Sequence, residues 1–221
     1  IDGKQVPYIG IPSVVSPSLT WERVTTIDLG FDARFFNNEL GVSFDWYQRT
    51  TSDMHSPGET LPSTFGSTTM PKVNSGELQG RGFELSIDYN KRFACGLGLT
   101  ARATLSKIRE KITKYNNPNK NIYGNYEGKI IGEIWGYEAN DLFLTNQEVD
   151  EYLRGVDMSF FKPNKDWQRG DLKYIDSNGD GKIDPGSGTL KDHGDLKIIG
   201  NATPKYSFGI NLNVGYKGFE I

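Results

Sequence analysis

The 221-residue sequence contains almost no cysteine and very little histidine. Cys95 is the only cysteine, so an intrachain disulfide and a thiolate metal site are both excluded. The two histidines, His55 and His193, fall in predicted loops and have no partner at the spacing of a metal site or a catalytic triad. No motif with a known catalytic mechanism occurs either, so we expect that the chain is not an enzyme.

Basic runs and long apolar runs are also missing. The formal net charge is −3, and neither a Lys/Arg-rich stretch nor a glycine-rich phosphate-binding motif occurs, so nucleic acid is not an expected partner. No run of about 18 apolar residues predicts a transmembrane helix. The hydrophobic fraction of 36% predicts a thin core, whereas the 26 glycines, 11 tyrosines and 12 phenylalanines favour β-structure with many turns.

The strongest pattern is an alternation of apolar and polar residues with a period of two, which predicts β-strands. It recurs in five segments, and a sixth begins at Phe219. In the first segment Ile27, Leu29 and Phe31 alternate with Asp28 and Gly30. The five segments are residues 27–35, 40–47, 83–90, 97–105 and 208–216.

The connections between these strands alternate between short and long. Tight turns are expected near residues 37–38, 92–96 and 217–218, whereas the chain runs from about 50 to 81 and from 107 to 204 between strands. Short turns at one end of a sheet and long loops at the other are typical of outer-membrane barrels. The expected fold is therefore all-β: an antiparallel, up-and-down transmembrane β-barrel segment with long extracellular loops, which this chain alone does not close because about eight strands are needed.

Two features leave alternatives open. Aromatic residues flank the tight turns, as in an interfacial girdle or in the cross-strand pairs of a soluble sheet. Charged residues on the second face suit either a polar lumen or bulk water. These aromatic residues are Phe35, Phe36, Tyr89, Phe93, Tyr216 and Phe219.

The 107–204 loop contains structure of its own. Residues 145–148 read Thr-Asn-Gln-Glu, a capping box that predicts a short helix over about 146–153, and residues 130–137 suit a short strand. For the Ser/Thr-rich segment 60–69 of the other loop, the sequence leaves three alternatives open: contact with substrate, contact with a lid protein, or neither.

Residues 176–184 of the long loop match the first part of a calcium loop, D-x-[DN]-x-[DN]-G. In that pattern the first, third, fifth and ninth residues offer side-chain oxygens, the sixth is a glycine for the turn, and the seventh turns its carbonyl inward. Those ligand positions are Asp176, Asn178, Asp180, Lys182 (through its carbonyl) and Asp184.

The second part of this calcium loop is missing. Position twelve is Ser187 where a bidentate Glu belongs, so a helix–loop–helix sensor is not expected, and Asp192 and Asp195 are the nearest candidates to complete the site. We expect structural Ca²⁺, which would stabilise a loop too polar to build a core. The alternative is a solvated Asn-Gly/Asp-Gly double turn that binds nothing.

Four stretches, in order and covering most of the chain, resemble the C-terminal part of the β-barrel of SusC/RagA-type TonB-dependent outer-membrane transporters. The first joins LTWE at 19–22 to FFNN at 35–38, and the second joins NSGE at 74–77 to GFELS at 82–86. The third pairs GY at 136–137 with DLF at 141–143. The fourth runs from GDLKY at 170–174 through the calcium loop to IIGNATPKY at 198–206. The family pattern places an Asp shortly after the loop, and Asp195, displaced by an insertion at 185–194, is its candidate counterpart.

This resemblance implies import of large nutrients, glycan oligosaccharides or peptides, across the bacterial outer membrane. It also implies a SusD-like surface lipoprotein as a lid, outer-membrane lipid around the barrel, and a TonB complex acting through a plug and TonB box outside this chain. The alternative from another class is a secreted, calcium-stabilised β-sandwich that binds carbohydrate, in which Trp21, Trp46, Trp135 and Trp167 offer stacking faces.

Overall fold

The computed structural model describes residues 16–221 except 18, 60, 63, 65–69 and 163–165. The Ser/Thr-rich segment 60–69 therefore lies outside the described residues, apart from 61, 62 and 64. In the described part of the chain, no helix has the length and apolarity needed to cross a membrane.

The described residues form ten strands and one helix. They are β1 Arg23–Phe35, β2 Leu40–Pro57, β3 Lys72–Arg92, β4 Leu97–Lys114, β5 Glu133–Tyr137, β6 Ala139–Leu142, α1 Asn146–Leu153, β7 Leu172–Tyr174, β8 Leu196–Asn201, β9 Tyr206–Tyr216 and β10 Phe219–Glu220. The main sheet has the order β1-β2-β3-β4-β9-β10, and every pair in it is antiparallel. This up-and-down sheet remains open, so the predicted fold of a partial antiparallel barrel is confirmed.

Left-handed backbone makes the turns tight. Between β1 and β2, Phe36, Asn37 and Asn38 all have positive φ, at 53°, 54° and 70°. Asparagine tolerates this conformation better than most residues do, which explains why two of them occur here.

The register assigns every residue of the main sheet to one of two faces. Residues directly opposite each other point the same way, as do diagonal neighbours two positions along. Phe31 lies opposite Phe44 and Phe83 lies diagonally beside Phe44, with ring centroids 5.8 and 6.1 Å apart. We call this face the outward face, and its apolar part the apolar belt. On β9 the belt runs from Tyr206 to Tyr216, 11 residues. That is roughly 34 Å along the strand at about 3.4 Å per residue, and roughly 26 Å across the membrane at a tilt of about 40°.

The strands are longer than the alternation predicted. β2 continues to Pro57, β3 begins at Lys72 and β4 continues to Lys114, so the two long connections span 58–71 and 115–205 rather than 50–81 and 107–204. The cause is an inversion of polarity: beyond Lys107 the outward residues of β4 are charged, while Ile108 and Ile112 point inward. A search for outward apolar residues therefore stops where the strand leaves the membrane.

Residues 115–205, which we call the loop module, fold around cores of their own. Two small sheets, β5-β8 and β6-β7, lie beside α1. One cluster of buried side chains comprises Phe143, Val149, Met158 and Ile183, and a second comprises Ile122, Tyr126 and Leu196.

Two expectations from the sequence are wrong: the alternative β-sandwich fold, and the position of His55 in a loop. The β-sandwich needs two sheets packed face to face, whereas the large sheet in the described residues is a single layer. Its four tryptophans also share no surface: Trp21 is 91% exposed before β1, Trp46 lies in the apolar belt, and Trp135 and Trp167 pack against the two cores of the loop module. His55, expected in a loop, lies within β2, because the strand continues past a register irregularity between Thr51 and His55.

Candidate functional site

The candidate calcium loop forms a series of tight turns closed by its own side chains. Asp176 accepts backbone N–H bonds from Gly179 (2.6 Å) and Gly181 (2.8 Å) through its two carboxylate oxygens. Asn178 Oδ1 accepts from the N–H of Asp180 (3.0 Å), whose Oδ1 accepts from the N–H of Lys182 (2.8 Å). Asx turns of this kind place the side-chain oxygens on the inside of the loop.

Asp195 lies against both ends of this loop. Its Oδ1 accepts the N–H of Ser177 at 2.7 Å and its Oδ2 the N–H of Asp184 at 2.9 Å, while its own N–H donates to the carbonyl of Asp184 at 2.9 Å. The side chain is only 1% exposed. The inserted segment 185–194 bulges away with its own turn, in which Asp192 accepts from the N–H of Ser187.

The donor types in this loop fit calcium, because Ca²⁺ binds carboxylate, amide and carbonyl oxygens. None of the carboxylates of Asp176, Asp180, Asp184 and Asp195 has a Lys or Arg ion partner among the described residues, which leaves a local excess of negative charge. However, no three Asp, Glu, His or Cys side chains of the described part converge as a ready metal cluster. An ion at this loop would therefore require the carboxylates to move closer together.

The negative charge of the loop acts on neighbouring tyrosines. Burial, followed by the charges of Tyr123, Asp184 and Asp195, raises the pKa of Tyr137 to about 12. Burial, followed by the charge of Asp176, also raises the pKa of Tyr152. Both tyrosines thus stay neutral across the physiological range and serve as packing groups.

Helix α1 and two ion pairs hold the rest of the module in place. Thr145 caps α1 by accepting the N–H of Glu148 (3.1 Å), and Glu148 in turn accepts the N–H of Leu144 (3.0 Å) and pairs with Lys173 (2.9 Å). The bond from Lys173, followed by that from Leu144, lowers the pKa of Glu148. On the other side of the module, Lys162 pairs with Asp171 at 2.6 Å and lowers the pKa of that carboxyl.

Three leucines form an exposed apolar patch on the loop module, which we call the leucine patch. Leu142 and Leu172 are cross-strand partners in the β6-β7 sheet, and Leu144 follows after the buried Phe143. They are 44%, 45% and 73% exposed. Exposed apolar residues that group together on a polar surface are typical of an interaction site.

The inward face of the main sheet is polar and mostly acidic. A recess of about 350 Å³ is lined by Asp28, Asp45, Glu84 and Glu110 around the ring of Tyr47. Glycine at position 82 makes room for that ring, since a Cβ there would lie 2.5 Å from the tyrosine oxygen. The second face of the sheet is thus a polar, concave wall. Of the two alternatives, a polar lumen or bulk water, this shape suits the lumen of a barrel.

Comparison with known proteins identifies the family. The family model described as "TonB dependent receptor-like, beta-barrel" matches residues 5–218. The chain therefore belongs to the β-barrel family of TonB-dependent receptors, and it is a segment of an outer-membrane barrel.

Similar curated proteins include TonB-dependent receptor P3 of Formosa agariphila, 26% identical over 100% of this chain and 22% of the relative. Another is TonB-dependent receptor SusC of Bacteroides thetaiotaomicron, 24% identical over 95% of this chain and 19% of the relative. Among solved structures, the RagAB peptide importer in the open-open state aligns with a TM-score of 0.59 at 20% identity, over 92% of this chain and 20% of that one. The chain thus spans about a fifth of the length of the relatives it matches. These relatives are receptors and transporters rather than enzymes, in agreement with the sequence.

Sequence reasoning singled out the candidate calcium loop and Asp195, and the structure brings these residues together. It missed the leucine patch and the cations of the outward face. A signal for the cations is the continued alternation beyond Lys107, in which Lys107, Arg109 and Lys111 occupy the positions of the earlier apolar residues.

Proposed function

We propose that this chain forms part of the barrel of an importer that takes up large nutrients, glycan oligosaccharides or peptides, in a TonB-dependent manner. The observation that carries the proposal is the loop module, a folded unit of about 90 residues, from 115 to 205, set on one end of an outer-membrane barrel wall. A unit of this size enlarges the outer mouth enough to enclose a large substrate, whereas pores for small solutes need only short loops. The plug and the TonB box belong to parts of the receptor outside this chain.

We assign the leucine patch as the contact for a SusD-like surface lipoprotein that covers the barrel. Leu142, Leu144 and Leu172 are exposed apolar side chains of the loop module, and two of them are direct cross-strand partners. Burial of three such side chains in an interface would favour the complex by about 1.5–3 kcal/mol each at most. The similarity to RagAB, a peptide importer, supports a polymer substrate of this general size but does not choose between glycan and peptide.

The import proposal is tested by deleting the gene for the full-length receptor and comparing growth on single glycans and on peptides. We expect a growth defect on one of these polymer classes and its reversal by the intact gene. Normal growth on every polymer tested, with the receptor shown to be expressed in the parent strain, would contradict the proposal.

The lid contact is tested by purifying the tagged receptor and identifying the lipoprotein that accompanies it. We expect Leu144→Asp with Leu172→Asp to reduce this lipoprotein at least tenfold. Tyr123→Asp is the matched control, because it places an acid at another exposed apolar residue of the same module, 68% exposed. Equal recovery of the lipoprotein with both variants would remove the leucine patch as the contact.

We further propose that residues 176–184 with Asp195 bind structural Ca²⁺. The four carboxylates without a basic partner support a cation there, and the oxygen donors support calcium over softer metals. After thorough chelation, calcium titration calorimetry of the full-length receptor should detect uptake that Asp176→Ala and Asp180→Ala abolish. Hydrogen exchange should then increase over 170–200 and stay constant in the strands, and a wild-type receptor that takes up no calcium would contradict the proposal.

A further inference from the structure

The outward face of the sheet carries a group of cations directly above the apolar belt. Arg81 and Arg109 are cross-strand partners on β3 and β4, and Lys107 and Lys111 lie one step to either side of Arg109 on the same face. The ammonium groups of Lys107 and of Lys205, which precedes β9, lie 5.2 and 5.8 Å from the ring centroid of Tyr206. We call the four outward residues Arg81, Lys107, Arg109 and Lys111 the cationic row.

No acidic residue on this face balances the cationic row. The strands on both sides of β3 and β4 are described, and from residue 79 to residue 111 along these strands every outward position is apolar, neutral or basic. The nearest outward acid, Glu77, pairs with Lys114 at 2.7 Å. Among the described residues, the side chain of Arg81 is bonded to the neutral side chain of Gln48 alone, at 2.8 Å.

The other acids of these strands lie on the opposite face. Glu84 and Glu110 point inward from β3 and β4, as do Asp28 and Asp45 from β1 and β2. Two arginines directly opposite each other repel and weaken the pairing of their strands. An arrangement that keeps like charges together, with no acid beside them, points to an anion from outside the chain.

The height of the cationic row identifies the kind of anion. Long connections mark the extracellular end of an outer-membrane barrel, so the cationic row lies at the level of the outer-leaflet head groups. Immediately below it the outward face is apolar, with Phe83, Leu105 and Phe208 in the next positions. A ligand that is anionic at the top and hydrocarbon below would match both surfaces at once.

We propose that the cationic row binds the phosphate groups of a phosphorylated glycolipid of the outer leaflet, whose acyl chains lie against the apolar belt below. Arginine and lysine are the usual ligands of phosphate, and the two parallel hydrogen bonds of a bidentate arginine fix the orientation of the phosphate group. Tyr206, held between two lysines at the belt boundary, marks the level at which head group meets hydrocarbon. The lipid is thus a bound partner at a fixed place on the wall rather than bulk solvent.

The test uses the full-length receptor in a neutral detergent and native mass spectrometry with added lipid. The probes are diphosphoryl lipid A, the same lipid after removal of both phosphates, and inorganic phosphate alone. One variant is Arg81→Gln with Arg109→Gln. Its matched control is Arg49→Gln with Arg102→Gln, which removes the same charge from β2 and β4 on the inward face.

We expect the outward variant to bind diphosphoryl lipid A roughly 25-fold more weakly, since each cation near an anionic surface contributes a factor of roughly five. The inward control should bind as the wild type does, and Arg81→Lys with Arg109→Lys should restore most of the affinity. Equal loss in both glutamine variants, or none in either, would overturn the proposal. So would equal binding of the dephosphorylated lipid, or of inorganic phosphate at the same concentration. Retention of the heat-resistant folded band on gel electrophoresis, expected because both arginines are exposed, keeps the comparison valid.

Discussion

Replacing Asp195 should open the candidate calcium loop without disturbing the barrel. The carboxylate is 1% exposed and joins the N–H groups of Ser177 and Asp184, which lie at the two ends of the loop. Asp195→Asn keeps one acceptor oxygen and turns an amide N–H₂ toward the second N–H. One charge-assisted bond is then lost and its donor is left unpaired.

The magnitude follows from these two bonds. A hydrogen bond to a charged group contributes about 1.5–3 kcal/mol, and an unpaired buried donor costs about 1–3 kcal/mol. We therefore expect Asp195→Asn to lower the free energy of local opening by about 1.5–3 kcal/mol, which corresponds to roughly tenfold to a hundredfold faster exchange of the two amides. Asp195→Ala, which removes both acceptors, should have the larger effect.

The assay is hydrogen exchange with peptide-level mass spectrometry on the full-length receptor, with a chelator present so that no ion contributes. Asp192→Asn is the matched control, because Asp192 makes a similar bond to Ser187 but is exposed and lies in the inserted segment. The control should speed exchange near residue 187 only. A change of less than about threefold over 177–184 in Asp195→Asn would refute the assignment of Asp195 as the residue that closes the loop.

Three further predictions concern the barrel wall and the loop module. Gly82→Ala places a Cβ 2.5 Å from the Tyr47 oxygen and 2.6 Å from a backbone carbonyl oxygen. We expect it to reduce the free energy of unfolding by about 1–3 kcal/mol and to lower the melting temperature. The control Gly98→Ala, whose nearest atom is 3.8 Å away, should leave the melting temperature unchanged. The pKa values of Glu148 and Asp171 are lowered, so their ion pairs stabilise the loop module at pH values above the ordinary carboxyl pKa values of 4.5 and 3.8. This stabilisation is lost as the pH falls through the lowered pKa values, so proteolysis of the module should increase below about pH 4. Unchanged cleavage at about pH 3 would contradict this. The pKa of Tyr137 is raised to about 12, so its neutral form stabilises the loop module below pH 10 and this stabilisation is lost as the pH rises toward about 12. Tyrosine fluorescence should report loosening of the module in that pH range. Tyr137→Phe should move the loosening to a higher pH.

The sequence predicted the part of the fold that lies in the membrane. There the lipid requires apolar outward residues, so alternation was sufficient to locate the strands, and Phe31, Phe44 and Phe83 came out on one face. Above the membrane, water contacts both faces and the requirement disappears. Ile108 and Ile112 then face inward beside charged outward neighbours, and the ends of β2, β3 and β4 could not be found by the same rule.

The candidate site was predictable in its local part only. Asp176, Asn178 and Asp180 are recognised by spacing because an Asx turn depends on residues two or three positions apart. The contribution of Asp195 depends on how far the inserted segment 185–194 bulges, which spacing does not determine. Leu142 and Leu172 come together through the β6-β7 pairing, a contact that no local pattern encodes.

The segregation of charge between the two faces of the sheet connects these observations. Along β3 and β4 the outward cations begin at the height where the apolar belt ends, while Glu84, Asp88 and Glu110 of the same strands point inward. A strand that only needed to be soluble above the membrane would gain from mixing both signs, since alternating charges attract across the pairs. Separation of the signs costs pairing energy on the outward face, and it is offset only if that face meets an anionic partner. The inward face instead mixes both signs, since Arg34 is bonded to Asp88 and Arg49 lies in the same recess as Asp45. We propose the lipid phosphate as that anionic partner.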